Sequence, residues 1–149
     1  MAKKTVLILC TGNSARSQMA EGLINHFLGE QWQAQSAGTK PAGFVHPLAI
    51  EAMADLGIAI GSQRSKSTDE FRQTNPDLVI TVCDNAAQDC PVWLGRAHKV
   101  HIGFPDPASV NGKSSHAEKL TAFCRVRDGL RDQVLPYLQN YLQNDGERE

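Results

Sequence analysis

A short apolar run followed at once by small polar residues restricts how this chain can fold more than any other feature. The run TVLILC, residues 5–10, is typical of a central parallel strand buried on both faces. Small or turn-forming residues occupy 11–15, where Gly12 and Asn13 tolerate positive φ angles. Apolar residues then recur every four positions, which predicts an amphipathic helix over 15–28. The chain therefore opens with a strand–turn–helix unit.

The same alternation of strands and helices continues along the chain. Further strands are predicted at 33–38, 77–83 and 98–104, and further helices at 47–56 and 120–138, with Pro136 expected to kink or shorten the last one. Four strands alternating with helices indicate an α/β fold: a single domain with a four-stranded parallel sheet flanked by helices on both faces. We expect this domain to span 1–143 and a polar tail to occupy 144–149.

Size and charge exclude several classes of function. The chain has 149 residues, of which 41% are hydrophobic and 21% charged, as in an ordinary soluble domain. Its formal net charge of −1 gives no bulk attraction to nucleic acid or to a membrane, so an anion site must be built locally. No targeting segment is evident, and no apolar stretch approaches the ~18 residues of a membrane span. We therefore expect a cytoplasmic monomer whose four cysteines are reduced thiols or transient redox partners.

The loop after the first strand has the composition of an anion site. Ligands of parallel sheets bind beyond the carboxyl ends of the strands, where Cys10 lies. A turn of small residues can aim successive backbone N–H groups inward, and a helix N-terminus adds a positive field that favours a thiolate. Arg16 supplies a planar fork for a tetrahedral oxyanion, and Ser17 can donate a hydrogen bond to the thiolate. The predicted oxyanion-binding loop consists of Thr11, Gly12, Asn13, Ser14, Ala15 and Arg16.

The spacing C-x5-R is a weak signal when it stands alone. Residues 90–96 also fit it, but their interior is bulky and precedes a strand instead of a helix, so we reject this second match. The first match has the strand–turn–helix context that the chemistry requires. The alternative is a buried Cys10 that merely ends a strand, with Arg16 as a surface charge.

Five segments carry a wider resemblance: CTGNSARSQMAEG, SAG, VCDNAAQDCPVW, FPDPA and FCRVRDGL. On these segments nearly the whole chain resembles the low-molecular-weight protein tyrosine phosphatase superfamily. It resembles more closely the thioredoxin-coupled arsenate reductases within that superfamily. The resemblance implies a four-stranded parallel sheet flanked by helices, a small oxyanion substrate (arsenate, with phosphate or sulfate as mimics), no bound cofactor, and thioredoxin as an external reductant and partner.

Asp106 lies between two prolines just past the fourth predicted strand. From the residues alone, a plain aspartate in a Pro-Asp-Pro turn is as good an interpretation as a catalytic one. The resemblance implies that Asp106 is the general acid, which protonates the oxygen that leaves when Cys10 attacks.

Cys83 and Cys90 distinguish the possible functions. If the first and third strands are neighbours, Cys83 can approach Cys10. Were the segment between Cys83 and Cys90 helical, their Cα atoms would lie about 10 Å apart, so a disulfide between them would require unwinding. The resemblance implies a relay in which Cys10 binds arsenic, Cys83 attacks Cys10, and Cys90 attacks Cys83 to leave a disulfide. The alternative is that both are buried structural thiols.

The chain departs from its relatives at two places. Ala15 stands where many relatives have another loop cysteine, which the relay does not need. Some relatives hold a potassium ion with an Asn, a Glu, a Ser and an Asp. Asn13, Glu21 and Ser36 match the first three of these ligands, but Lys66 occupies the position of the aspartate. Its ammonium could replace the ion, so we expect no potassium requirement.

Other reactive side chains have simpler interpretations. Cys124 falls beside the apolar stripe of the last helix and is expected to pack in the core. The five histidines show no metal-ligand spacing and no C-x2-C motif occurs, so we expect no metal site.

Three functions follow as hypotheses. The first is a thioredoxin-linked arsenate reductase, with some side phosphatase activity because the first step is shared. The second is a phosphotyrosine phosphatase that uses the same Cys10, Arg16 and Asp106, although Ala108 stands where such phosphatases usually have tyrosine. The third is a non-enzymatic oxyanion-binding thiol switch, in which Asp106 would have no role. Glutaredoxin and glutathione remain alternatives to thioredoxin, although an internal Cys90 argues against them.

Overall fold

The structure is a computed structural model that describes residues 3–84, 97–109 and 114–147. These ranges contain four β-strands, three α-helices and two short 3-10 helices. The α-helices and strands are, in chain order, β1 (Lys4–Cys10), α1 (Arg16–Phe27), β2 (Trp32–Gly38), α2 (Pro47–Ala54), β3 (Leu78–Thr81), β4 (His98–His101) and α3 (His116–Glu147). The 3-10 helices are Thr68–Phe71 and Pro107–Ser109.

The four strands form one parallel sheet in the order β2-β1-β3-β4. β1 is therefore central, and its apolar sequence is explained because it is covered on both sides by neighbouring strands and on both faces by side chains. The register places Cys10 beside Gly38 of β2, and Leu9 beside Thr81 of β3. The predicted α/β fold with a four-stranded parallel sheet is confirmed.

The two faces of the sheet carry cores of different size. Alternation along β1 sends Ile8 and Cys10 to the larger core, which also contains buried residues of all three α-helices. The smaller core lies on the opposite face and receives Phe71 from a 3-10 helix. It consists of Leu7, Leu9, Ala37 and Val79. The Cys10 side chain therefore lies on the same face of the sheet as α1, the helix that follows the loop after Cys10.

The last helix extends further at both ends than the predicted 120–138. α3 runs through Pro136 to Glu147, so the first four residues of the expected polar tail are helical. The helix continues past the proline because Val134 and Leu138, on either side of it, are both buried in the core. Among the described residues, no helix is long and apolar enough to cross a membrane.

The regular parts of β3 and β4 are shorter than predicted, although their hydrogen bonding continues past both strand ends. Ile102 N–H donates to the Thr81 carbonyl at 2.9 Å, and Phe104 N–H donates to the Val82 carbonyl at 3.1 Å. Cys83 therefore lies two residues beyond β3, at the carboxyl edge of the sheet. The segment between Cys83 and Cys90, predicted to be helix-compatible, lies outside the described residues.

Candidate active site

The loop between β1 and α1 has its backbone carbonyls turned outward. The carbonyl oxygens of Thr11, Gly12 and Ser14 accept hydrogen bonds of 2.8–3.0 Å from backbone N–H groups of the segment 40–46. In a trans peptide unit the C=O and the following N–H point in opposite directions. The N–H groups of the residues that follow these carbonyls therefore face the inside of the loop, which is the arrangement of an anion-binding nest.

Two backbone features make this loop conformation possible. Asn13 has a φ of 48°, a left-handed conformation that asparagine tolerates better than most residues. Gly38, on the neighbouring strand, has no room for a side chain: a Cβ there would overlap the Thr11 carbonyl oxygen and lie 2.9 Å from the Cys10 carbonyl oxygen. Gly38 is thus a site residue to which the sequence analysis assigned no role, although it belongs to the SAG segment of the resemblance.

The Cys10 thiol is buried and bonded within the loop. Its Sγ lies 2.8 Å from Ser17 Oγ, and Ser17 Oγ accepts a 2.8 Å hydrogen bond from Asn13 Nδ2. The backbone N–H of Lys66 donates to Asn13 Oδ1 at 2.7 Å, which identifies this atom as the amide oxygen. Either atom can be the donor between Cys10 and Ser17 in the thiol form, whereas only the Ser17 hydroxyl can donate when Cys10 is a thiolate.

Arg16 begins α1 and is buried. Its Nη1 donates a 3.1 Å hydrogen bond to the carbonyl oxygen of Phe104. Asp106 follows two residues later and is exposed; its Oδ1 accepts a 2.9 Å hydrogen bond from Ala108 N–H at the start of the second 3-10 helix. The structure therefore joins the segment that carries Asp106 to the guanidinium of the loop.

The cysteines differ in state. Cys10 and Cys124 are free thiols, whereas Cys83 is buried and disulfide-bonded. Cys83 follows β3, the neighbour of the strand that Cys10 ends, as the relay hypothesis requires. Burial raises the pKa of the Cys124 thiol, which keeps it protonated and suits the predicted packing role. Cys90 lies outside the described residues.

A buried ion pair between Lys66 and Glu21 lies next to the loop, which the Lys66 backbone contacts at Asn13. Lys66 Nζ lies 3.6 Å from Glu21 Oε1 and donates to the Arg64 carbonyl at 2.9 Å. Ser36 Oγ donates to the same Glu21 oxygen at 2.7 Å. Burial raises the pKa of Glu21, and the hydrogen bond from Ser36 and the Lys66 charge partly offset this. An ammonium already lies beside the carboxylate, so this set does not fit a potassium ion.

His46 is a second residue that the sequence analysis missed. Its Nδ1 accepts a 3.1 Å hydrogen bond from Leu48 N–H and so caps α2, while its ring packs on Phe123 with centroids 4.6 Å apart. Burial of the ring lowers the pKa of His46, and the Asp106 carboxylate partly offsets this. The signal available in the sequence was a polar residue directly before Pro47, the first residue of a helix.

The described part of the chain shows no set of metal ligands. No group of three or more His, Cys, Asp or Glu side chains there could hold a metal ion. What the arrangement offers is a buried thiol at the edge of a parallel sheet, a loop of inward N–H groups and an arginine beside it. These features are those expected of an α/β protein that binds an oxyanion beside a cysteine nucleophile.

Comparison with known proteins identifies the family. Residues 5–147 match the low molecular weight phosphotyrosine protein phosphatase family, and the chain belongs to it. The chain is 42% identical over 139 residues to an arsenate reductase of Halalkalibacterium halodurans; the match covers 93% of this chain and 98% of that protein. The resemblance inferred from the sequence is confirmed, and such relatives support the prediction of an enzyme.

Solved structures of arsenate reductases have a fold similar to that of this chain. One, described as an arsenate reductase in the phosphate binding state, superposes with a TM-score of 0.75 at 30% identity, covering 92% of this chain and 98% of its own. A thioredoxin-dependent arsenate reductase of Corynebacterium glutamicum gives a TM-score of 0.57 at 28% identity, covering 90% of this chain and 63% of its own.

Proposed function

We propose that this protein is an arsenate reductase that uses Cys10 as nucleophile and passes the oxidation through Cys83 to Cys90, with thioredoxin as the external reductant. Relatives of known name are arsenate reductases, and one structural neighbour is thioredoxin-dependent. The substrate is a tetrahedral oxyanion held by the loop N–H groups and Arg16, and a related structure in a phosphate binding state supports this.

The observation that carries the proposal is the different state of two cysteines at the ends of neighbouring strands. Cys10 is a free thiol that ends β1, and Cys83 is disulfide-bonded just beyond β3. A phosphatase needs the first of these but has no use for the second. A protein in which Cys10 is a free thiol while Cys83 is in a disulfide has the oxidation state expected after Cys90 attacks Cys83 and before thioredoxin acts.

The proposed chemistry balances in three steps. The Cys10 thiolate attacks arsenic(V), a sulfur–arsenic bond forms, and an arsenic hydroxyl leaves as water after it takes up one proton from Asp106. The Cys83 thiolate then attacks the Cys10 sulfur; the sulfur–arsenic bond breaks, its electron pair stays on arsenic, and arsenite departs. The Cys90 thiolate attacks the Cys83 sulfur and releases Cys10 as a thiolate. Thioredoxin finally reduces the Cys83–Cys90 disulfide.

Each residue at the site has a role in these steps. The loop N–H groups and Arg16 hold the oxyanion and balance the charge that builds up on it. The Ser17 hydroxyl stabilises Cys10 as a thiolate both before attack and on release. The hydrogen bond from Arg16 to Phe104 connects the oxyanion site to the segment that carries Asp106.

A coupled assay tests the proposal. NADPH oxidation is followed with thioredoxin, thioredoxin reductase, arsenate and either the wild-type protein or the Cys90→Ser variant. We expect many turnovers for the wild type and at most about one for Cys90→Ser, because the relay stops at the Cys10–Cys83 disulfide. Cys124→Ser serves as the matched control and should keep multiple turnovers, since this thiol is free and lies on α3.

Phosphatase activity is measured on the same preparations with an aryl phosphate. Wild-type protein that consumes no NADPH with arsenate but hydrolyses the aryl phosphate rapidly would contradict the reductase and establish the phosphatase. Oxidation of Cys83 without turnover of either substrate would instead favour a thiol switch.

A further inference from the structure

Gln18 lies behind the nucleophile loop and is completely buried. Its side-chain Nε2 lies within hydrogen-bond distance of three oxygens: the Asn13 carbonyl at 3.1 Å, Asn13 Oδ1 at 3.0 Å and the Arg64 carbonyl at 2.9 Å. An amide nitrogen carries two hydrogens, so the three acceptors share them. All three neighbours are oxygens, which fixes the nitrogen of Gln18 on this side.

The other end of the Gln18 amide is also occupied. Gln63 Nε2 donates to Gln18 Oε1 at 2.8 Å and to the Gln18 carbonyl at 3.0 Å. Gln63 is only partly buried, so the chain of hydrogen bonds begins near the surface. It continues inward through Gln18 to Asn13 and ends on Ser17 and Cys10.

From Gln63 to Ser17, every hydrogen bond in this series is donated in the same direction, towards the loop. Gln18 and the Lys66 backbone N–H both donate to Asn13 Oδ1, so the Asn13 amide can only present its nitrogen to Ser17. Ser17 Oγ accepts that hydrogen, and when Cys10 is a thiolate the Ser17 hydroxyl is the donor to the sulfur. Successive hydrogen bonds of one direction polarise one another in a buried setting. Gln18 can therefore influence the Cys10 sulfur although Asn13 and Ser17 lie between them.

We propose that Gln18 is a positioning residue that favours the thiolate of Cys10 by holding the Asn13 amide in the orientation that commits the Ser17 hydroxyl to the sulfur. The proposal rests on Cys10 being the nucleophile of the proposed function, but it does not depend on the oxyanion or on the reductant. Gln18 touches no substrate; it acts through Asn13 and Ser17. Gln63 is the outer member of the same chain.

The test is the pH dependence of Cys10 alkylation. The fully reduced protein is treated with iodoacetamide at a series of pH values, and modification of the Cys10 peptide is followed by mass spectrometry. The Gln18→Met variant keeps the volume and the helix but has no donor for Asn13. We expect its alkylation midpoint to rise by about half to one pH unit, and that of Ser17→Ala by about one to two, the size expected of a hydrogen bond to a charged group.

A double variant separates positioning from a general loss of structure. Since Gln18 acts through Ser17, Gln18→Met should produce no further shift when Ser17→Ala is already present. Asn25→Leu is the matched control: Asn25 is also an α1 amide, and it bonds the backbone of Ala34 at 2.9 and 3.1 Å two turns further along the helix, near its C-terminal end. This variant should lower the melting temperature and leave the alkylation midpoint unchanged.

Three results would overturn the inference: a midpoint for Gln18→Met within about 0.2 units of wild type, an equal shift in Asn25→Leu, or additive shifts of Gln18→Met and Ser17→Ala. If Gln18→Met does not fold, Gln63→Leu replaces it, with a smaller shift of the same sign expected and no shift contradicting the inference. Arsenate turnover is measured separately on the wild type. Failure of turnover would contradict the proposed function while leaving the alkylation result to decide the role of Gln18.

Discussion

The buried pair of Lys66 and Glu21 allows a quantitative prediction. Replacing Lys66 with methionine keeps an unbranched, flexible side chain but removes the ammonium from a site where Lys66 is 7% and Glu21 9% exposed. The two charges are 3.6 Å apart, which corresponds to about 4.6 kcal/mol at an effective dielectric constant of about 20. Removal of one partner of such a pair typically costs about 3–5 kcal/mol.

Protonation of Glu21 limits this cost. Taking up a proton at pH 7 costs a carboxyl with the ordinary pKa of 4.5 about 3.4 kcal/mol, and less here because burial raises the pKa of Glu21. A pKa that is higher in the folded state gives stability that is present below about pH 4.5 and lost as the pH rises through the folded pKa. We therefore expect Lys66→Met to lose about 2–3 kcal/mol at pH 7 and clearly less at pH 5.

Urea unfolding at pH 5 and pH 7 measures the effect. The double variant Glu21→Gln/Lys66→Met, which removes both charges, should be more stable at pH 7 than Lys66→Met alone. Arg64→Met is the control: its pair with Glu70 is exposed, so its loss should be small and the same at both pH values. An equal loss for Lys66→Met at pH 5 and pH 7, or no recovery in the double variant, would refute the reasoning.

The stability of the wild type should also respond equally to KCl and NaCl at fixed ionic strength, as we propose that Lys66 makes potassium unnecessary.

Three further predictions concern the loop and its support. Gly38→Ala should abolish phosphate binding in calorimetry, because its Cβ would overlap the Thr11 carbonyl; retained binding would show that the loop can shift. Arg16→Lys should weaken phosphate binding at least tenfold while the protein stays folded, because an ammonium cannot reproduce the planar fork; unchanged affinity would contradict this role. The pKa of His46 is lower in the folded protein, so its contribution to stability is present above about pH 6.5 and lost as the pH falls below it. His46→Asn, which can still cap α2, should flatten that part of the urea stability profile.

Local patterns were enough to predict the strand–loop–helix unit that contains Cys10. The apolar run, the small residues after it and the four-residue apolar period each restrict only neighbouring φ and ψ angles and side-chain faces, so they can be read without knowing the fold. Cys10, Arg16 and Ser17 lie within eight consecutive residues, and the structure brings Ser17 to the sulfur as the loop hypothesis expected. Helix ends were less predictable: Pro136 was expected to kink or shorten α3, but the helix continues past it to Glu147, with buried residues on both sides of the proline.

The sequence by itself determined the strand–turn–helix unit, its thiol and its arginine, because these depend on short-range sterics and on residues close together in the chain. Only the tertiary structure decided what surrounds them. Sheet register places Gly38 against the loop, packing places Lys66 behind it, and the Phe104 carbonyl, 88 residues away, receives the Arg16 guanidinium. Such partners are selected by the simultaneous burial of distant segments, and linear spacing carries no trace of that selection.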